Sequence, residues 1–178
     1  MPAAPQPLNE AARYSALMSY RLRKDVFADA KADALVRKAV RDFNVPQAAI
    51  ALVGRSTVYF LASEGAPFRS LPRDISFCSY AIHSRQTLIV PNAALDPRFA
   101  ENPVVIGEPY VRFYAGAPLV DRDGLCLGTF CIVDTEPRAL APTELAALER
   151  LSETAMRRID FLSAVSELLS QSGEGMRV

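Results

Sequence analysis

Metal-binding residues are scarce in this sequence. It has a single histidine, His83, and three cysteines, Cys78, Cys126 and Cys131, with no Cys-x-x-Cys spacing. That set is too small and scattered for a zinc site, and an odd cysteine count argues against a disulfide framework. Neither sign of charge is in excess: Lys plus Arg and Asp plus Glu each number 20, so the formal net charge is zero. A zero balance offers no electrostatic footprint for nucleic acid or an anionic membrane, and it favours self-association over repulsion. No apolar run reaches the ~18–20 residues that span a bilayer. The start, MPAAPQPLNE, has neither the basic beginning nor the apolar core of a secretory leader, which points to the cytoplasm. Internal repeats, low-complexity tracts, phosphate-binding loops, nucleotide signatures and catalytic triads are all missing.

What is there suits one soluble domain of 178 residues, half of them apolar and 22% charged. Residues 1–7, rich in Pro and Ala, are expected to be disordered, 8–170 to form the domain, and 171–178 to be a flexible tail. Leu8, Ala11, Ser15, Met18 and Leu22 recur at helical spacing and mark a first helix. A second runs over about 28–43, ended by Asn44 and Pro46. Strands are expected at 48–53 and 58–62, then a loop marked by Gly65, Pro67 and Pro72. Ser76 begins a short helix reaching Ser84, either capping it or leaving its free N–H groups to an anion. A strand at 87–90 precedes an irregular stretch, 92–110, with at most a turn or two of helix. A hairpin follows over 112–120 and 125–133, and Thr143 caps a long helix to about Ser170. This order predicts an α+β fold: an antiparallel-rich sheet, terminal helices on one face, the middle segment over the other.

The hairpin carries the functional reading. With a turn of two or four residues among Asp121, Arg122, Asp123 and Gly124, one face holds Phe113, Ala115, Ala117, Leu119, Cys126, Gly128, Phe130 and Ile132. That face is wholly apolar and suits packing under the terminal helices. The other holds Arg112, Tyr114, Gly116, Pro118, Thr129, Cys131 and Val133. An aromatic, a hydroxyl, a thiol and a space-leaving glycine are the composition of a small-molecule pocket wall; equally, Tyr114 and Thr129 can serve to satisfy polar groups beneath the middle segment. An odd-length turn with a bulge would swap the faces. Phe77 and Phe99 would close the pocket, with Cys78 beside them and Arg112 at the rim. Asp96 and Arg98 flank Pro97 and suit a local ion pair or Asx turn. Cys78 and His83 are five residues apart, about 140° around a helix, so they do not make a nucleophile–base pair. Cys126 and Cys131 point to opposite faces, whereas Cys78 can meet Cys131 if the short helix covers the pocket.

The motifs SFC, VP, DPRF, NP, RFYAGAPL, LGT and a final D occur in this order between Ser76 and Asp134. This stretch resembles the central part of a bacterial sensory GAF domain. The resemblance implies a PAS-like antiparallel sheet of five or six strands and a non-enzymatic sensory or regulatory module. It implies a ligand site on the middle-segment side, formed here by Phe77, Cys78, Phe99, Arg112, Tyr114, Gly116, Thr129 and Cys131. It also implies an output partner, a histidine kinase or diguanylate cyclase, in a longer chain or in trans. The motifs of cysteine-dependent free methionine sulfoxide reductases, bilin carriers and cyclic-nucleotide-binding GAF domains are absent. Arg23-Lys24-Asp25-Val26 stands where relatives have Leu-Asp-Thr-Pro, and Tyr59-Phe60 where they have Trp-Phe. Neither residues nor resemblance names a ligand or cofactor. The competing reading is a small redox enzyme or sensor using Cys78 and Cys131.

A homodimer is expected through the terminal helices. Leu145, Leu148, Ser152, Ala155, Ile159, Leu162, Ser166 and Leu169 form one stripe on the last helix; Leu151, Phe161, Val165 and Leu168 form another. One stripe can pack on the sheet while the other meets a partner. The interface set is Leu8, Met18 and Leu22 with Leu148, Ala155, Ile159 and Leu162.

Overall fold

The apolar run near the first third of the chain becomes β1 (Gln47–Val53), buried along almost its whole length. The computed structural model describes residues 4, 6–22, 29–66 and 68–174. In it β1 joins β2 (Thr57–Glu64), β3 (Ser70–Pro72), β4 (Leu88–Val90), β5 (Phe113–Val120) and β6 (Cys126–Asp134) in a six-stranded sheet of order β3-β2-β1-β6-β5-β4. Every pairing is antiparallel. The expected α+β architecture is present. Strand β3 lies in what the sequence suggests is loop: it is three residues long and ends in Pro72, which has no donor and is tolerated on an edge strand.

Three helices cover one face: α1 (Glu10–Ser19), α2 (Ala30–Phe43) and α5 (Pro142–Glu174). Asp29 caps α2 by accepting from Ala32 N at 2.8 Å and also receives two hydrogen bonds from Arg158 of α5. Asn44 ends α2 in the left-handed conformation, where asparagine is tolerated. Helix α5 starts one residue before Thr143: Pro142 takes the first helical position, and Glu144 accepts from Ala141 N at 2.8 Å. It is helical through Glu174, into the stretch expected to be tail. Pro7 is buried, and its carbonyl accepts from Glu10 N. The Arg23–Val26 departure lies outside the described residues. On the opposite face sit α3 (Phe77–Ala81), α4 (Pro103–Ile106) and the loops around them.

The sheet therefore separates two apolar clusters. The helix side joins Val36, Ala39 and Phe43 of α2 with Leu148, Ala155 and Ile159 of α5, over Phe113, Ala115, Ala117, Leu119, Phe130 and Ile132. The other side joins Phe77, Cys78, Phe99, Val104, Val111, Tyr114 and Cys131. The hairpin faces agree with the sequence reading except at Cys126. A bulge between Leu119 and Val120 pairs Val120 with Cys126, so Leu127 enters the helix-side cluster and Cys126 the other.

The expected dimer stripe is corrected by this packing. Leu148, Ala155, Ile159 and Leu162 are buried within the monomer, the first three against the sheet, and so are not free to meet a partner. Leu22 is half-buried against the same cluster. Leu8 and Met18 on the first helical stripe are exposed, as are Phe161 and Leu168 from the second stripe of α5.

Candidate functional site

Helix α3 places the first part of the site. Ser76 accepts from Cys78 N at 3.2 Å, so it caps its own helix. The Arg73 carbonyl receives Ser76 N at 3.2 Å and Ser79 Oγ at 2.6 Å. Thus held, α3 turns Phe77, Cys78 and Ala81 inward. The helix ends at Ala81, leaving His83 exposed while Cys78 is buried, which separates the two. The middle segment supplies the second part. Asp96 and Arg98 form both expected arrangements, a two-pronged ion pair at 2.9 and 2.6 Å and an Asx turn through Arg98 N. Asn102 is fully buried: its Oδ1 accepts from Val104 N to cap α4, and its Nδ2 donates to Ile75 O at 2.8 Å. It thereby ties the middle segment to the start of α3.

Phe99, Phe77 and Tyr114 form a continuous stack, with ring centroids 4.2 and 5.1 Å apart, and Tyr80 meets Phe99 edge-on at 4.8 Å. The Tyr114 hydroxyl lies 3.5 Å from Cys78 Sγ and 3.4 Å from Thr129 Oγ1. Two expectations are corrected here. Gly116 does leave space, but the phenol of Tyr114 fills it: a Cβ at Gly116 would lie 2.2 Å from Tyr114 Oη. Arg112 is not a free rim charge, because its Nη1 donates to the carbonyls of Val105, Tyr110 and Val111 and fastens the segment after α4. Gly116→Ala should push against the clamped Tyr114 and cost about 1–3 kcal/mol by overpacking, read as a lower urea midpoint.

The remaining space is a cavity of about 60 Å³. Of the residues expected to line a pocket, Phe77, Cys78, Tyr114 and Cys131 border it; Phe99, Arg112, Gly116 and Thr129 do not. Phe60, Phe68, Leu71, Ile75, Val104 and Val111 complete much of the wall, and no charged side chain is among the lining residues. Alternation on the second strand marks Phe60 as a candidate, but Phe68 and Leu71 sit in a stretch with no periodic signal.

All three cysteines are free thiols. Cys78 and Cys131 both border the cavity. The polar groups of Cys131, Thr129, Tyr114 and Ser76 around it outweigh burial and hold the Cys78 thiol below its ordinary value. The neighbouring Cys78, together with burial, pushes Cys131 well up. Burial raises Tyr114, helped by the neighbouring sulfurs. Cys126 stands apart, raised by burial, its Sγ donating to Ser84 O at 3.4 Å.

The site is connected to α1 through Arg73. Its Nη1 donates to Glu10 Oε1 at 2.5 Å and to Gly54 O at 3.0 Å. Glu10 also receives Arg13 Nε at 2.8 Å and Nη2 at 2.9 Å. Arg13 is fully buried, and Arg13 Nη1 and Arg73 Nη2 are buried without a partner among the described residues. Burial alone would raise the Glu10 carboxyl, yet the hydrogen bonds and charges of Arg13 and Arg73 hold it at about 2.

Comparison with known proteins places this geometry. The sequence profile of the family described as "GAF domain" matches residues 28–159. A curated protein of Pseudomonas aeruginosa named "Cyclic di-GMP phosphodiesterase" is 38% identical over 174 residues, which are 97% of this chain and 30% of the relative. The chain thus spans about a third of that relative's length. Among solved structures, the GAF domain of a phosphoenolpyruvate-protein phosphotransferase from Coxiella burnetii superposes with a TM-score of 0.64 at 14% identity, covering 88% of this chain and 98% of that one. A type II free methionine-R-sulfoxide reductase from Thermoplasma acidophilum superposes with a TM-score of 0.63 at 12% identity, covering 76% and 94%. At these identities the structures show a shared fold.

Proposed function

The chain belongs to the GAF domain family, and on that premise we propose that this regulatory sensor module is non-enzymatic and takes up a small, uncharged, apolar molecule beneath α3. The observation that carries the reading is the cavity wall, which is mainly apolar and holds no Arg, Lys, Asp or Glu. An anionic ligand would lose its hydration there without gaining a counter-charge, whereas an apolar one gains by burial. The cavity is well below the 300–1,000 Å³ or so of typical ligand pockets, so uptake of anything larger than a few atoms displaces the Phe99–Phe77–Tyr114 stack. Phe77 rides on α3, α3 hangs from the Arg73 carbonyl, and the Arg73 side chain grips Glu10 of α1. Movement of the lid is therefore felt at a terminal helix.

The exposed Leu8, Met18, Phe161 and Leu168 are the surfaces through which two copies associate. The output acts in a longer chain or in trans. The phosphodiesterase activity named for the Pseudomonas relative is one candidate, beside a histidine kinase or a diguanylate cyclase. Native mass spectrometry of protein purified from its own host tests the ligand class. A retained neutral compound that departs on denaturation is the expected result. No retained neutral compound, or no thermal shift with indole or toluene, would leave only the partner-binding role.

The presence of Cys78 and Cys131 as free thiols on the wall of one cavity favours a second reading, a redox sensor or enzyme. Two thiols would pass two electrons and two protons to hydrogen peroxide, giving a disulfide and water. Thiol titration separates the readings. A count that falls from three free thiols to one after peroxide supports the redox function, and a count that stays at three supports the ligand sensor.

A further inference from the structure

We propose that a second site, on the edge of the molecule away from α3, binds a nucleoside diphosphate. A groove of about 680 Å³ opens between α1, the β1–β2 turn and the β2–β3 connection. Arg21, Arg55 and Arg69 line it, and among the described residues no aspartate or glutamate does. Other arginines are matched to carboxylates, as Arg98 is to Asp96, Arg138 to Asp134, Arg158 to Asp29, and Arg13 with Arg73 to Glu10, or stand singly on the surface as Arg37 and Arg41 do. Arg21, Arg55 and Arg69 make no ion pair with any described residue. Three guanidiniums around one concavity favour a polyanion that can pair with all of them at once.

The backbones that carry these arginines are pinned. Gly54 N donates to Thr57 O at 2.9 Å and closes the turn bearing Arg55; Phe60 N donates to Arg69 O at 3.0 Å. Ser166 Oγ of α5 donates to Arg21 O at 3.1 Å. The Arg55 guanidinium lies 4.7 Å over the Tyr14 ring. Stacked so, it keeps its N–H edge for the two-pronged geometry that phosphate accepts. Tyr59, half-exposed in the same groove, offers a flat face to a planar ring. The volume falls within the range of small-molecule sites. Phosphates for the arginines and a base for the tyrosine together describe a nucleoside diphosphate, whose charge of about −3 balances the three guanidiniums.

The test titrates the full chain with ADP, adenosine and inorganic pyrophosphate by calorimetry and by NMR of the tyrosine rings. ADP is expected to bind at least about tenfold tighter than either half and to weaken as salt rises. Arg55→Gln with Arg69→Gln is expected to reduce ADP affinity by about tenfold or more, and Tyr59→Ser to reduce ADP affinity while sparing pyrophosphate. Arg37→Gln with Arg41→Gln, on exposed α2 positions, is expected to change nothing. Pyrophosphate binding as tightly as ADP, an unchanged affinity in the Arg55 and Arg69 variant, or a dimer that buries Tyr59 would each overturn the proposal. None of these outcomes depends on what the cavity under α3 holds.

Discussion

Glu10→Gln is expected to destabilise the protein by about 3–5 kcal/mol, because it removes the one negative charge between two largely buried arginines. Arg13 has no other ion-pair partner among the described residues, and Arg73 would keep only backbone carbonyls. Two like charges would then face each other at the end of the sheet. Urea unfolding followed by circular dichroism measures the effect. The carboxyl also predicts a pH dependence. Its folded pKa, about 2, lies below its ordinary 4.5, so its stabilising contribution is full above about 4.5 and is lost as pH falls toward 2. The wild type should weaken across that window, and the Gln variant should lack this component. An equal acid response in both would remove Glu10 from the account.

Tyr114→Ala should cost a similar amount, about 3–5 kcal/mol, as for other large buried aromatics. Tyr114 is only 2% exposed and forms one end of the aromatic stack. Its ring fills the space over Gly116 and borders the existing cavity, so its removal should join the two volumes. p-Cresol, the missing side chain as a free molecule, should then restore part of the loss, by about 2.7 kcal/mol at a hundred times its dissociation constant. Tyr114→Phe should cost no more than about 1.5 kcal/mol, because the hydroxyl contacts removed are long ones. Calorimetric melting of the three proteins with and without p-cresol decides it. No shift in the Ala variant would mean that the walls collapse into the space.

How much of this was legible in the residues varies with the range of the interaction. Phe113, Ala115, Ala117 and Leu119 alternate strictly, so their common face could be read directly, and the bottom of the helix-side core with it. Cys126 could not be placed, because the bulge that turns it is a property of the paired strands and leaves no mark at Val120. Gly116 announced space, but not that a rotamer of Tyr114, two residues earlier on the same face, would fill it. Arg112 looked like a ligand contact because the carbonyls it meets lie in the short α4 and the segment after it, which carry no periodicity. The two stripes of α5 are similar in composition, and only the sheet beneath selects Leu148, Ala155 and Ile159 for burial. The Glu10–Arg13 spacing is visible along the chain; Arg73 arrives from 63 residues away.

Helix α5 has a mechanical consequence. Its 33 residues run unbroken from Pro142 to Glu174, which at about 1.5 Å each makes a rod of roughly 50 Å. The sheet grips only its first half, where Leu148, Ala155 and Ile159 are seated. A small twist at that end is therefore delivered as a rotation at the other, with angle conserved along the rod. Whatever is joined to the far end inherits a helical phase: one residue inserted there turns it by about 100°, and seven return it nearly to where it began. Activity of a fused output should rise and fall with the period of the helix, not with the length of the linker.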